Sequence, residues 1–221
     1  MTGSYTWSKV LTDTSNNFDT FDPGENPFDR RSERGPADYD RRHIFVTSYT
    51  YRVPLFKSWK GVQGAILSGW ELSGITRLQT GQLLTVRGTT SIGSRRADYL
   101  GAVVSLPDAL KGPDSWFNTN AFAIAPDERQ GTSGVGIVGG PGRYLWDLSM
   151  RKKFSIHEGI RLQMQADFFN AFNRTNFTNP GLAMGNVTTI NGVQTYSNRA
   201  FGTVTGAAPG RNVQLGLKLT F

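Results

Sequence analysis

Residues 211–221, RNVQLGLKLTF, alternate strictly between apolar and polar positions. Val213, Leu215, Leu217, Leu219 and Phe221 are apolar. Asn212, Gln214, Lys218 and Thr220 alternate with them, with Gly216 between. A period of two predicts a strand with one dry face and one wet face. At about 3.3 Å per residue, eleven residues span about 36 Å. Tilted by about 40°, such a strand crosses the roughly 25 Å apolar band of an outer-membrane barrel. The last strand of a soluble β-sandwich would carry the same pattern.

Five further segments carry the alternation. The first, SYTWSKV at 4–10, reads as the end of a strand. In HIFVTSYTYRV (43–53), Phe45, Tyr49, Tyr51 and Val53 share one parity. In 67–80, Trp70, Leu72 and Leu78 oppose Glu71, Ser73, Arg77 and Gln79. In 144–156, Tyr144, Trp146, Leu148, Met150, Phe154 and Ile156 oppose Asp147, Ser149, Arg151 and Lys153. Lys152 is the one charge on the apolar side. From Ile160 towards Phe172, Ile160, Leu162, Met164, Ala166 and Phe168 oppose Arg161, Gln163, Gln165 and Asp167. These are long strands for a globular protein, where about five or six residues is usual.

The connections alternate in length. Only His157, Glu158 and Gly159 separate two strands, and the link from Val53 to Leu67 is of moderate length. The others, 11–42, 81–143 and 173–210, are long and are expected to be irregular. Long irregular loops are uncommon in compact soluble domains. Tight turns at one end and long loops at the other fit a transmembrane β-barrel. The expected fold is therefore all-β: an antiparallel transmembrane β-barrel segment of about six long strands, too few to close.

On that fold, Glu71, Arg77, Asp147, Arg151, Lys153, Arg161 and Asp167 form a lumen-facing charge set. Tyr144, Trp146, Phe168, Phe169 and Phe172 are expected at the membrane interface, where aromatic belts gather. Aromatic packing in an ordinary β-core is the alternative. Composition adds little against this. Among 221 residues there is no cysteine, 26 are glycine, and no apolar stretch approaches the length of a membrane helix. A secretory leader is not evident at Met1. The net charge of +7 would suggest nucleic acid in a soluble protein, yet no basic stripe follows a recognition element, and no nucleic-acid partner is expected.

Candidate chemistry is sparse. Gly134, Gly136 and Gly139 match G-x-G-x-x-G, but Pro141 and Gly142 follow where a phosphate-binding helix would have to start. A flexible outer loop is expected there. Asp13, Asp19, Asp22, Glu25 and Asp29 crowd the first long loop without EF-hand spacing. His43 and His157 lie in different segments, and no nucleophile motif occurs. Neither an enzyme nor a cofactor is expected.

Seven stretches resemble, in order, the strands of TonB-dependent outer-membrane receptors, nearest to the Oar-like branch with its carboxypeptidase-regulatory-like module. They are SYTWSK (4–9), RRHIFVTSYTYRVP (41–54), LSGWELSGITRLQTGQLLTV (67–86), WFNTNAFA (116–123), GGPGRYLWDLSMRKKF (139–154), RLQMQADFFNAFNRTNFTNP (161–180) and FGTVTGAAPGRNVQLGLKLTF (201–221). The resemblance implies that residues 1–221 are the C-terminal part of a receptor barrel of about 22 strands with a plugged lumen. It implies a place in the outer membrane of a Gram-negative-type bacterium and uptake of an unidentified solute. Implied partners are outer-membrane lipid, the rest of the barrel and plug, TonB through that plug, and the barrel-assembly machinery. That machinery would read Val213, Leu215, Leu217, Leu219 and Phe221. The chain shows no plug and no leader, so it is expected to be a fragment. The rival expectation is a secreted soluble β-sandwich that binds carbohydrate.

Overall fold

The computed structural model describes residues 1–13, 29–55, 58–59, 61–91, 93–191 and 193–221. Six strands form one sheet: Thr2–Trp7 (β1), His43–Arg52 (β2), Trp70–Gln79 (β3), Arg143–His157 (β4), Ile160–Phe169 (β5) and Asn212–Thr220 (β6). Each pairs antiparallel with the next in sequence, so the sheet is a meander with β1 and β6 at its open edges. Among the described residues nothing closes it into a barrel. The long strands arise where period two runs unbroken. β4 and β5 meet in a tight turn at Glu158 and Gly159, where Gly159 takes φ +84°, a conformation glycine adopts without a Cβ penalty.

The register places every predicted apolar parity on one face. Phe45 lies opposite Leu78, and Tyr144 also pairs with Leu78. Leu148 lies between Gly74 and Phe168, and Val213 follows Phe168. Leu72, Met150, Ala166 and Leu215 form the next row. The opposite face carries the glutamines, most serines and every charge of the sheet but Lys152, with Val46, Ile75 and Leu145 among them, while Thr47 and Thr76 share the apolar face with Trp146. At Gly74 a Cβ would lie 2.8 Å from the Tyr49 hydroxyl. The bare backbone there lets the cross-strand tyrosine lie flat on the sheet.

The close-packed core is elsewhere. Among the described residues, every fully buried apolar side chain belongs to the connections and none to the six strands. Leu84, Val86, Phe117, Phe122, Val138, Met184 and Phe201 form one cluster from the connections 80–142 and 170–211. Short antiparallel pairs brace it, including Leu83–Leu84 with Val138–Gly139 and Arg87–Thr90 with Gly93–Arg96. The connections 80–142 and 170–211 are therefore folded into a cap, contrary to the expectation of irregular loops. Their contacts have no fixed period, so the alternation test passes over them. The stretch at Gly134–Gly139, expected to be flexible, is part of this packing, and Val138 is almost fully buried.

One strand end and one link differ from expectation. β5 stops at Phe169 rather than reaching Phe172, because Asn170 enters the left-handed region at φ 50°. Its amide donates to Asp147 Oδ1 at 2.9 Å, and its side-chain oxygen accepts from Arg174 N at 3.0 Å. Between β2 and β3 a short helix, Gly61–Leu67 (α1), takes the place of a plain link. Seven residues with no acidic first turn and no basic last turn carry none of the usual end signals of a helix.

The sandwich alternative requires a second sheet against the apolar face. The described strands form a single large sheet with that face uncovered. Leu215 and Leu217 are 78% and 70% exposed.

Candidate functional site

The candidate site is the two-faced wall together with the cap at its loop end. On the apolar face, Tyr144 and Trp146 stand at the loop end of β4. Phe172 folds back edge-on to Trp146, with ring centroids 5.6 Å apart. The Arg174 guanidinium lies 4.7 Å over the Tyr144 ring. Asn176 fixes that strand end by accepting from Tyr144 N at 2.6 Å and donating to Tyr144 O at 3.0 Å. Phe168 lies on the same face further into the sheet, opposite Leu148. Phe169 points to the other face, in register with Asn212. Val213, Leu215, Leu217 and Leu219 continue the apolar face along the free edge, and Phe221 is 95% exposed beyond it.

The polar face holds Glu71, Arg77, Asp147, Arg151, Lys153, Arg161 and Asp167. Glu71 accepts from Arg151 and, at 3.2 Å, from Arg52 of β2. Asp147 and Asp167 are not held by the basic residues of the set. Asp147 accepts from the Asn170 amide, and Asp167 from Gln165 Nε2 at 3.0 and 2.9 Å. Among the described residues, no ion pair joins Arg77, Lys153 or Arg161 to a carboxylate. A groove of about 490 Å³ borders this face, where Ser48, Thr50, Ser73, Asp147 and Ser149 alternate with apolar groups including Ile75 and Phe169.

Three connections are tied into the cap by polar groups that sequence reasoning did not single out. Arg96 is 4% exposed. It donates to Ser32 O at 2.7 Å and to Glu33 Oε1 at 3.1 Å, so it binds the first connection to the second. Tyr196 donates to Thr119 O at 3.0 Å and ties in the third. Arg129 grips Asp98 with two bonds of 2.6 Å, and the Thr132 amide adds a third at 3.0 Å. Asp98 and Arg129 are 31 residues apart with no shared motif, so no sequence signal announces them. Arg52 was within reach, since it continues the polar parity of Ser48 and Thr50.

Asp98 makes the cap acid-sensitive. The Arg129 fork holds its carboxyl below the usual carboxylate range, with the Thr132 amide adding to this and burial opposing it. In the unfolded segment the group titrates near ~3.9. Its contribution is therefore complete above about pH 4 and lost as pH falls through the lower folded value. Limited proteolysis of the cap should accelerate below about pH 4. In Asp98→Asn the rate should already be raised at pH 7, and the acid-induced rise should shrink. An identical acid profile in the variant would sink this assignment.

The remaining candidates stay apart. His43 contacts Tyr5 at 2.8 Å near the cap, whereas His157 ends β4 at the far side. Asp13 pairs with Arg30 at 2.9 Å and Asp29 accepts from Arg31 N; Asp19, Asp22 and Glu25 lie outside the described residues. Among the described residues no group of carboxylates and histidines could hold a metal ion.

One antiparallel sheet with an uncovered apolar face, a polar opposite face and all its long connections at one end is the geometry of a membrane-spanning barrel wall. A family model described as an outer membrane beta barrel domain matches residues 1–214. The chain belongs to that family. No curated protein and no solved structure matches it. An outer-membrane β-barrel domain resides in the outer membrane, and its apolar face is the one that lipid can cover. In β4 the apolar band runs from Tyr144 to Phe154. Ten residue steps make about 33 Å, which a strand tilt of about 40° reduces to roughly 25 Å, the height of the hydrocarbon layer a barrel must cross.

Proposed function

We propose that this outer-membrane β-barrel domain is the C-terminal part of a TonB-dependent, Oar-like receptor that takes up a scarce solute. The observation that carries this reading is the pairing of a charge-bearing face with a folded cap at one end only. In barrels the long loops lie outside and the short turns face the periplasm, so the cap is the extracellular, solute-meeting surface. Glu71, Arg52 and Arg151 belong to the lumen wall. The edge strand β6, ending at Phe221, is the segment that the barrel-assembly machinery reads. The open edges at β1 and β6 pair with the remaining strands of the receptor, because unpaired backbone is not tolerated in lipid. TonB acts through the plug. The domain itself catalyses nothing and needs no cofactor.

The test is to read the genomic DNA upstream of the Met1 codon. The expected result is a reading frame that continues upstream through further alternating strands to a plug. An in-frame stop immediately before Met1, with no plug-coding frame nearby, overturns the receptor reading while leaving the outer-membrane wall intact.

A further inference from the structure

Lys152 sits on the apolar face, level with Trp70 and Met164, and is only 3% exposed. A lysine facing hydrocarbon is costly unless its protons are satisfied. Here the ammonium donates to the carbonyl of Ile66, at 2.8 Å, and to that of Ser68. It also lies 5.5 Å over the Trp70 ring and 4.9 Å over the Phe154 ring. Trp70 Nε1 donates to the same Ile66 carbonyl at 3.1 Å. These carbonyls belong to the last turn of α1 and the residue after it. They are acceptors that a helix end leaves without backbone partners and that favour a cation. Lys152 and Trp70 thus fasten the end of α1 onto the apolar face, at the turn end of the sheet.

Among the described residues nothing covers the Val62 side of the helix so placed. Val62 and Ile66, one turn apart and therefore on one side, are 74% and 53% exposed, and Trp59 just before the helix is 48% exposed. The apolar surface of the sheet continues from this point. A trough of about 300 Å³ runs from Trp70 over Met150 and Met164 to Leu215 and Leu217. α1 also lies close to the level of Phe154, where the apolar band of β4 ends.

We propose that α1 is an interfacial foot. It lies in the boundary of the periplasmic leaflet with Val62 and Ile66 among phospholipid acyl chains, and Lys152 holds it to the wall. The proposal rests on the reading that the apolar face meets lipid. It explains the one charge on that face without a solute, a counter-ion or a partner protein. Short helices with an apolar side and an aromatic residue at the boundary are suited to this position.

The chain has no cysteine, so single nitroxide labels can be placed by Val62→Cys, Ile66→Cys, Leu148→Cys and Glu158→Cys and read in isolated outer membranes. Collision with oxygen reports lipid, and collision with a neutral nickel chelate reports water. Labels at 62, 66 and 148 should favour oxygen, and the label at 158 should favour nickel. A water reading at 62 and 66 beside a lipid reading at 148 overturns the foot alone; a water reading at 148 overturns the lipid-facing wall on which it rests. Adding Lys152→Met should shift the 62 label towards water while the 148 label stays in lipid. A 62 label unmoved by Lys152→Met overturns the role given to Lys152.

Discussion

Leu148→Arg will sharply reduce folded protein in the outer membrane, whereas Ser149→Arg, one residue on, will leave it near the wild-type level. Leu148 stands about midway up the apolar band, between Gly74 and Phe168. Arginine facing lipid at mid-depth costs about 2–4 kcal/mol in a barrel. That lowers the folded-to-unfolded ratio roughly 30- to 900-fold. Ser149 lies on the opposite face, in register with Ser73, where a guanidinium keeps its water. Folded barrels run differently from unfolded ones on gels before heating, so urea titration of that band gives the two midpoints directly. Equal midpoints for the two variants would show that the faces have been assigned wrongly.

Phe122→Ala will open the cap and leave the wall standing. Phe122 is fully buried, with Phe117 edge-on at 5.9 Å and Tyr99 at 6.3 Å. Truncating a buried phenylalanine to alanine typically costs about 3–5 kcal/mol. The loss falls on a cluster that contains no residue of the six strands. Protease added from outside should therefore cut within 80–142 much faster in the variant, while the urea midpoint of the folded band moves little. Cleavage at the wild-type rate would mean that the cluster does not hold the cap together. Loss of the folded band would mean that cap and wall form a single cooperative unit.

The wall was legible in the sequence because a two-residue period leaves no choice of face. Once Leu148 is apolar and Ser149 polar, the register aligns every other strand to match. Strand ends were less legible. The alternation runs on through Phe172, but Asn170 turns the chain with two side-chain hydrogen bonds that pattern alone does not reveal. The cap was hidden for a different reason. Phe117, Phe122, Met184 and Phe201 meet through turns and short ladders, and each contact depends on the others rather than on a repeat. Lys152 was visible as an exception to the alternation. Its explanation was not, because its acceptors are backbone carbonyls some 85 positions away in the chain. Of the polar-face charges, only the pairings of Glu71 with its two cross-strand neighbours, Arg151 and Arg52, follow from adjacency. Asp147 and Asp167 have amide partners that no charge count would select.

The cap also bears on how the domain stays where it is put. Its cluster draws on the connection between β3 and β4 and on that between β5 and β6, and Arg96 clips in the connection between β1 and β2. It can be completed only after all three hairpin ends have reached the far side of the membrane. Once complete, no single hairpin can slide back without dismantling the shared cluster first. The cap works as a knot tied after threading: it adds little to the wall while the wall is at rest, and it bars the route by which the wall would come out.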